Sequence, residues 1–134
     1  MITLTIPGKP VPWTASRITK RGAFDPKLKE KQSIRWRIKT QYNGNILDQK
    51  VSLAFTFYMP VPKSFAKKTL DLLKQGKIIY HDKKPDLTNL QKLYEDCLKG
   101  IVIKDDNQVV EVFSRKIFSL ECKTKIEVQS LDMW

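Results

Sequence analysis

Between residues 51 and 59 the chain alternates strictly, with Val51, Leu53, Phe55, Phe57 and Met59 on one side of the pattern and Ser52, Ala54, Thr56 and Tyr58 on the other. A period of two over nine residues specifies a β-strand with a buried face, and Pro60 and Pro62 stop it. A strand of this kind needs neighbours. Ile2, Leu4 and Ile6 alternate with Thr3 and Thr5 ahead of Pro7-Gly8, and Thr124, Ile126 and Val128 alternate with Lys125, Glu127 and Gln129. A fourth strand is expected around Gln108 to Phe118. The period changes at Leu90, Leu93, Tyr94, Cys97 and Leu98, which fall at i, i+3, i+4, i+7 and i+8 and so form one buried helical stripe ended by Gly100. A second helix is expected from about Pro26 to Tyr42, with Ile34, Ile38 and Tyr42 spaced by four, and a short one near Ala66 to Lys74. The order β, α, β, short α, α, β, β implies an α/β or α+β fold with one mixed sheet and helices packed on it. Neither a repeat nor a linker divides residues 1–134, so a single domain is expected.

The segments between these elements are basic. Lys and Arg number 25 against 14 Asp and Glu, a net charge of +11, which points to a partner of dense negative charge, nucleic acid first. The loop GKPVPWTASRITKRG is too basic and too broken for a core element, and residues 63 to 84 carry seven lysines on what reads as a peripheral arm. Lys63, Lys67, Lys68, Lys83, Lys84 and Arg17 are the DNA-backbone candidates. Trp13 is a candidate for stacking on an unpaired base or for packing on the sheet. Trp36 is expected to pack partly, His81 to lie at the surface, and Phe113 and Phe118 to serve either a dimer interface or the core. No stretch approaches the roughly 20 apolar residues of a membrane span, so a soluble, unexported, cytoplasmic protein is expected. Cys97 and Cys122 read as reduced packing residues, and with one histidine a zinc site is improbable, so any metal must be held by oxygen.

Two acidic stretches carry the candidate chemistry. KKPDLTNLQK, residues 83 to 92, opens the striped helix, and Thr88 followed three later by Gln91 reads as a capping box that starts it at Thr88. KDDNQ, residues 104 to 108, puts Asp105 beside Asp106 in a turn, and adjacent carboxylates are either solvated or neutralised by a hard cation such as magnesium or manganese. If Asp86 and Asp106 meet across the helix start, such an ion would bridge them to a phosphate. Lys92, one turn after Thr88, would stabilise the charge that develops there.

The segments IPGKPVP, MPVPKSFAKK, HDKKPDLTNLQK and GIVIKDDNQVVEV, in that order, resemble the RusA family of Holliday junction resolvases, found in bacteria and their prophages. The resemblance covers most of the chain. It implies a homodimer that makes paired symmetric nicks in four-way DNA junctions with magnesium or manganese, in recombination and repair, and a phage or prophage origin. It assigns Asp86 and Asp106 to the metal and Lys92 to catalysis, with Asn89 and Asp105 as neighbours, Asp105 a further metal candidate. One position departs from the pattern: Thr88 stands where the family signature usually has a second aspartate. A hydroxyl is a weaker ligand than a carboxylate for a hard cation. Three outcomes are open: a site completed by another carboxylate (Asp105, Asp82 or Asp96), a weakened nuclease, or a junction-binding protein that does not cut.

Overall fold

The computed structural model describes residues 1–131. Strands β1 (Ile2–Pro7), β4 (Val51–Pro60), β5 (Val109–Ser119) and β6 (Lys123–Ser130) form one mixed sheet in the order β1-β6-β4-β5. β6 runs antiparallel to both β1 and β4, whereas β4 and β5 are parallel. The chain therefore crosses between β4 and β5, and the crossover carries α2 (Lys67–Lys74) and α3 (Leu87–Leu98). α1 (Leu28–Gln41) precedes β4 and packs beside α3. The mixed sheet, single core and helical cover agree with the reading of the sequence.

The alternation in β4 does what its period demands: Val51, Leu53, Phe55, Phe57 and Met59 are all buried. Leu4 and Ile6 of β1 and Ile126 and Val128 of β6 join them beneath the α3 stripe of Leu90, Leu93, Tyr94, Cys97 and Leu98. From α1 only Ile34 and Ile38 are buried. Trp36 lies two positions from each of them, hence on the opposite helix face, and is 64% exposed, contrary to the partial packing expected. A further departure is the basic loop, which contains a small hairpin, β2 (Arg17–Thr19) with β3 (Gly22–Phe24), turned by Gly22 at a φ of 109°. Every residue of the hairpin is exposed, so this part of the basic loop stays out of the core as expected, whereas Val11 and Trp13 at the loop's start pack against it.

His81 is the reverse case. It is buried rather than superficial, because its N–H donates to the Lys116 carbonyl (3.0 Å) and its ring lies against Phe118 (4.8 Å between centroids). Burial, then the Lys116 charge, pushes its pKa below the ordinary histidine value, so it stays neutral at physiological pH.

Both cysteines are reduced. Burial pushes the Cys97 thiol up to about 12, while Cys122 is half-buried at the β5–β6 turn. Iodoacetamide near neutral pH should therefore alkylate Cys122 and spare Cys97 until denaturant is added, a result read by intact mass. Labelling of Cys97 in the native protein would contradict the packing of α3.

Candidate nucleic-acid and metal site

β1 and β4 both lead toward the end of the sheet where α3 begins, and β5 ends there too. The carboxyl ends of parallel strands are where open α/β sheets place their ligands. Lys116 of β5 fixes the segment entering α3, its ammonium donating to the Pro85 carbonyl (2.7 Å) and to the Lys83 carbonyl. From the other side the N-terminal loop docks on the first turn of α3: the Trp13 N–H donates to the Asn89 carbonyl at 2.8 Å. The Lys92 ammonium rests 3.5 Å from the Trp13 ring centroid, a cation–π contact that aims it toward this end of the helix. Trp13 is half-buried against the core. Pro12, Trp13, Thr14, Lys84, Pro85, Asp86 and Asn89 line one open cleft.

α3 starts one residue earlier than the capping-box pattern suggested. Its N-cap is Asp86, and Thr88 is already helical and exposed. Starting at Leu87 lets that half-buried leucine extend the apolar stripe, which outweighs the cap at Thr88. Gln91, freed from the cap, accepts from the Ser114 hydroxyl (2.8 Å) and donates to Glu95 (3.3 Å). The Asp86 carboxylate makes no capping hydrogen bond and is exposed, so it faces the cleft with its oxygens available.

The second acidic stretch is built differently. Asp105 caps a 3-10 turn, Asp106–Gln108, in a reciprocal capping box with Gln108. Asp106 Oδ2 lies 3.5 Å from Lys99 Nζ, which is 3.7 Å from Asp96. A hydrogen bond with Asp105, then the Lys99 charge, holds the Asp106 carboxyl below its usual range, so it stays ionised in mild acid. Burial, with added repulsion from Asp106 and Asp96, raises Glu95.

Asp86 and Asp106 do not meet within one chain. Asp86 caps the start of α3, and Asp106 pairs with Lys99 just beyond its end; the twelve-residue helix between those two ends is about 18 Å long. Two carboxylates of one magnesium site stand within a few ångströms of each other. Among the described residues no three acidic, cysteine or histidine side chains are grouped to hold a metal. The donors that the described residues bring together, Asp86 with the Asn89 side chain nearby, thus do not by themselves fit a divalent cation.

The basic candidates are all exposed. Lys83 and Lys84 flank Asp86, with Lys84 lining its cleft. Lys63, Lys67 and Lys68 belong to the arm that packs through Phe65 on Phe118 (4.7 Å), at the same end of the sheet. Arg17 stands on the hairpin with Lys20 and Arg21, beside Ile18, which is 89% exposed. Phe118 is core, whereas Phe113 is exposed.

Residues 7–129 match the family model described as Endodeoxyribonuclease RusA. The chain belongs to that family. A RusA-family match over 123 of its residues leaves little of the described structure outside it, in keeping with the sequence resemblance. The chain is also 31% identical over 88 residues to the uncharacterized protein YqaN of Bacillus subtilis (strain 168). That match covers 64% of this chain and 61% of YqaN, less than two thirds of the relative's length. No helix among the described residues is long and apolar enough to cross a membrane.

Proposed function

We propose that the protein is a structure-selective endodeoxyribonuclease that binds four-way DNA junctions and nicks them in pairs. The observation that carries this reading is the open cleft that Asp86 and Asn89 line with Trp13, over whose ring the Lys92 ammonium rests, in a RusA-family chain. Lys83 and Lys84 beside Asp86, the arm lysines and the Arg17 hairpin would hold the phosphate backbone, each neutralised phosphate adding about 0.9 to the salt slope. Lys92, aimed by Trp13, would stabilise charge on the scissile phosphate. Magnesium or manganese is the cofactor this reading requires, and no group of carboxylates among the described residues of one chain completes its shell.

The test is cleavage of a labelled synthetic junction and its matching linear duplex with magnesium, manganese or chelator, read on a denaturing gel. Symmetric nicks confined to the junction and lost with chelator are expected. Tight junction binding without nicks under any metal would favour a second reading, a silent junction binder, for which the neutral Thr88 is the motivating observation. Thr88→Asp should lower the magnesium concentration needed for half-maximal cutting by about tenfold or more, because a carboxylate replaces a hydroxyl at an exposed position of the first helical turn. An unchanged magnesium dependence would remove Thr88 from the site.

A further inference from the structure

Helix α1 and its N-cap carry six cations, and two of them serve the fold. Lys31 donates to Asp25 (2.8 Å), and Arg35, one turn on, donates to the carbonyls of Cys97 (3.2 Å) and Lys99 (2.7 Å), so this pair ties α1 to its neighbours. Lys29, Ser33 and Arg37 repeat the spacing of four on another, exposed face. Neither Lys29 nor Arg37 has an ion-pair partner among the described residues. The three line a cleft of about 310 Å³, with Lys9 and Val11 of the N-terminal loop as its other wall. Glu30 lines it too, but three cations against one carboxylate leave the cleft at +2.

Both walls are fixed in advance. The Gly8 N–H donates to the Cys122 carbonyl (3.2 Å), Pro10 is buried, and the Val11 N–H donates to the Tyr94 hydroxyl (3.1 Å), which holds Lys9 between two anchors. The other three side chains project from a helix, so little ordering is left for an entering anion to impose. Trp36 adds a second mark. It is 64% exposed and, three residues after Ser33 and seven after Lys29, shares their side of α1. An exposed tryptophan beside a cationic cleft suits a ligand that has both charge and flat apolar surface, which a nucleic-acid strand has and a lone anion lacks.

We propose that this cleft binds a backbone phosphate of the DNA, with Lys9, Lys29 and Arg37 as its charge partners, Ser33 as a hydroxyl donor and Trp36 against the adjacent sugar or base. The proposal deepens the nuclease reading and rests on it for DNA as the ligand. The N-terminal loop sets the spacing, since Val11 lines this cleft while Pro12 and Trp13 line that of Asp86. The four steps from Lys9 to Trp13 span at most about 14 Å. Successive phosphates of one strand rise about 3.4 Å along a duplex, so the bound phosphate lies on the order of four nucleotides from the one at Asp86. A strand held at Asp86 is thus gripped again where its arm leaves over α1, and the second grip sets the direction of that arm.

The test compares two single-charge variants of α1, Arg37→Gln in the cleft and Lys39→Gln outside it, both at exposed positions. Binding of a fluorescent four-way junction is followed by anisotropy across a salt series, with chelator present so that no strand is cut. Arg37→Gln should flatten the log–log salt slope by about 0.9 and weaken binding roughly fivefold near 0.15 M salt, whereas Lys39→Gln should keep the wild-type slope. Equal losses in the two variants would mean that only the general field of the protein was felt, and would overturn the cleft. A second measurement places neutral methylphosphonate linkages one at a time along the strand. At one position the wild type should lose affinity and Arg37→Gln should not, because its contact is already gone; losses that add at every position would overturn a direct contact. If the wild type nicks no junction under any metal, the nuclease reading falls, while the paired variants still decide whether the cleft holds a DNA phosphate.

Discussion

Replacing Asp86 with asparagine is expected to abolish junction cutting while leaving folding and junction binding intact. The structural part of this expectation comes from the N-cap. Asp86 is exposed and makes no side-chain capping bond, and asparagine is as good an N-cap residue as aspartate, so α3 should form as before. The binding part comes from charge. Removing one carboxylate from a lysine-rich rim should leave junction affinity equal or slightly tighter, because the phosphates meet one less negative group. The catalytic part rests on the metal role proposed for Asp86 and has a lower bound: residues that only orient a metal ligand cost 10- to 100-fold when changed, so losing a carboxylate in that role should cost at least about a hundredfold. Single-turnover cleavage, gel-shift titration and thermal melting separate the three. A variant that still cuts at the wild-type rate would remove Asp86 from the chemistry; one that melts early would reveal a structural role that the cap geometry does not show.

The elements that could be read from the sequence share one property, a single uninterrupted period. β1, β4, β6 and the α3 stripe each keep their period for a whole element, and each is where its pattern puts it. The hairpin Arg17–Phe24 has no such pattern, because all of its residues are exposed and nothing selects an apolar face; the glycine at its turn was the only signal. At α3 two local rules competed, a capping box at Thr88 and burial of Leu87, and burial prevailed. The capping box that does form, Asp105 with Gln108, uses an aspartate in place of serine or threonine. The candidate site was legible as a list of residues but not as an arrangement. Twenty positions separate Asp86 from Asp106, and the helix predicted between them holds its ends about 18 Å apart, which counting its rise would have shown. Trp13 as the rest for Lys92 was beyond reach, since it depends on how a loop 79 residues away docks on α3.

Truncating Phe57 to alanine is expected to produce the largest loss of stability, about 3–5 kcal/mol. Phe57 is fully buried at the centre of β4, 5.8 Å from the Phe55 ring and 5.6 Å from Tyr94 of α3. The strand on one side and the helix on the other are each held by further contacts, so the site can collapse only partly and a cavity remains. Chemical denaturation should show a lower midpoint with an unchanged slope, and the melting temperature should fall by more than about 10 °C. The effect should also reach the cleft. The Tyr94 hydroxyl accepts from the Val11 N–H at 3.1 Å, and two residues on, Trp13 bonds Asn89 and carries Lys92. Loosening Tyr94 therefore loosens the loop that aims Lys92, so cutting should slow more than binding even well below the melting point. Loss of stability with cutting unchanged would mean that the loop is held by its own bonds to α3, and that the core supports the site only by keeping the chain folded.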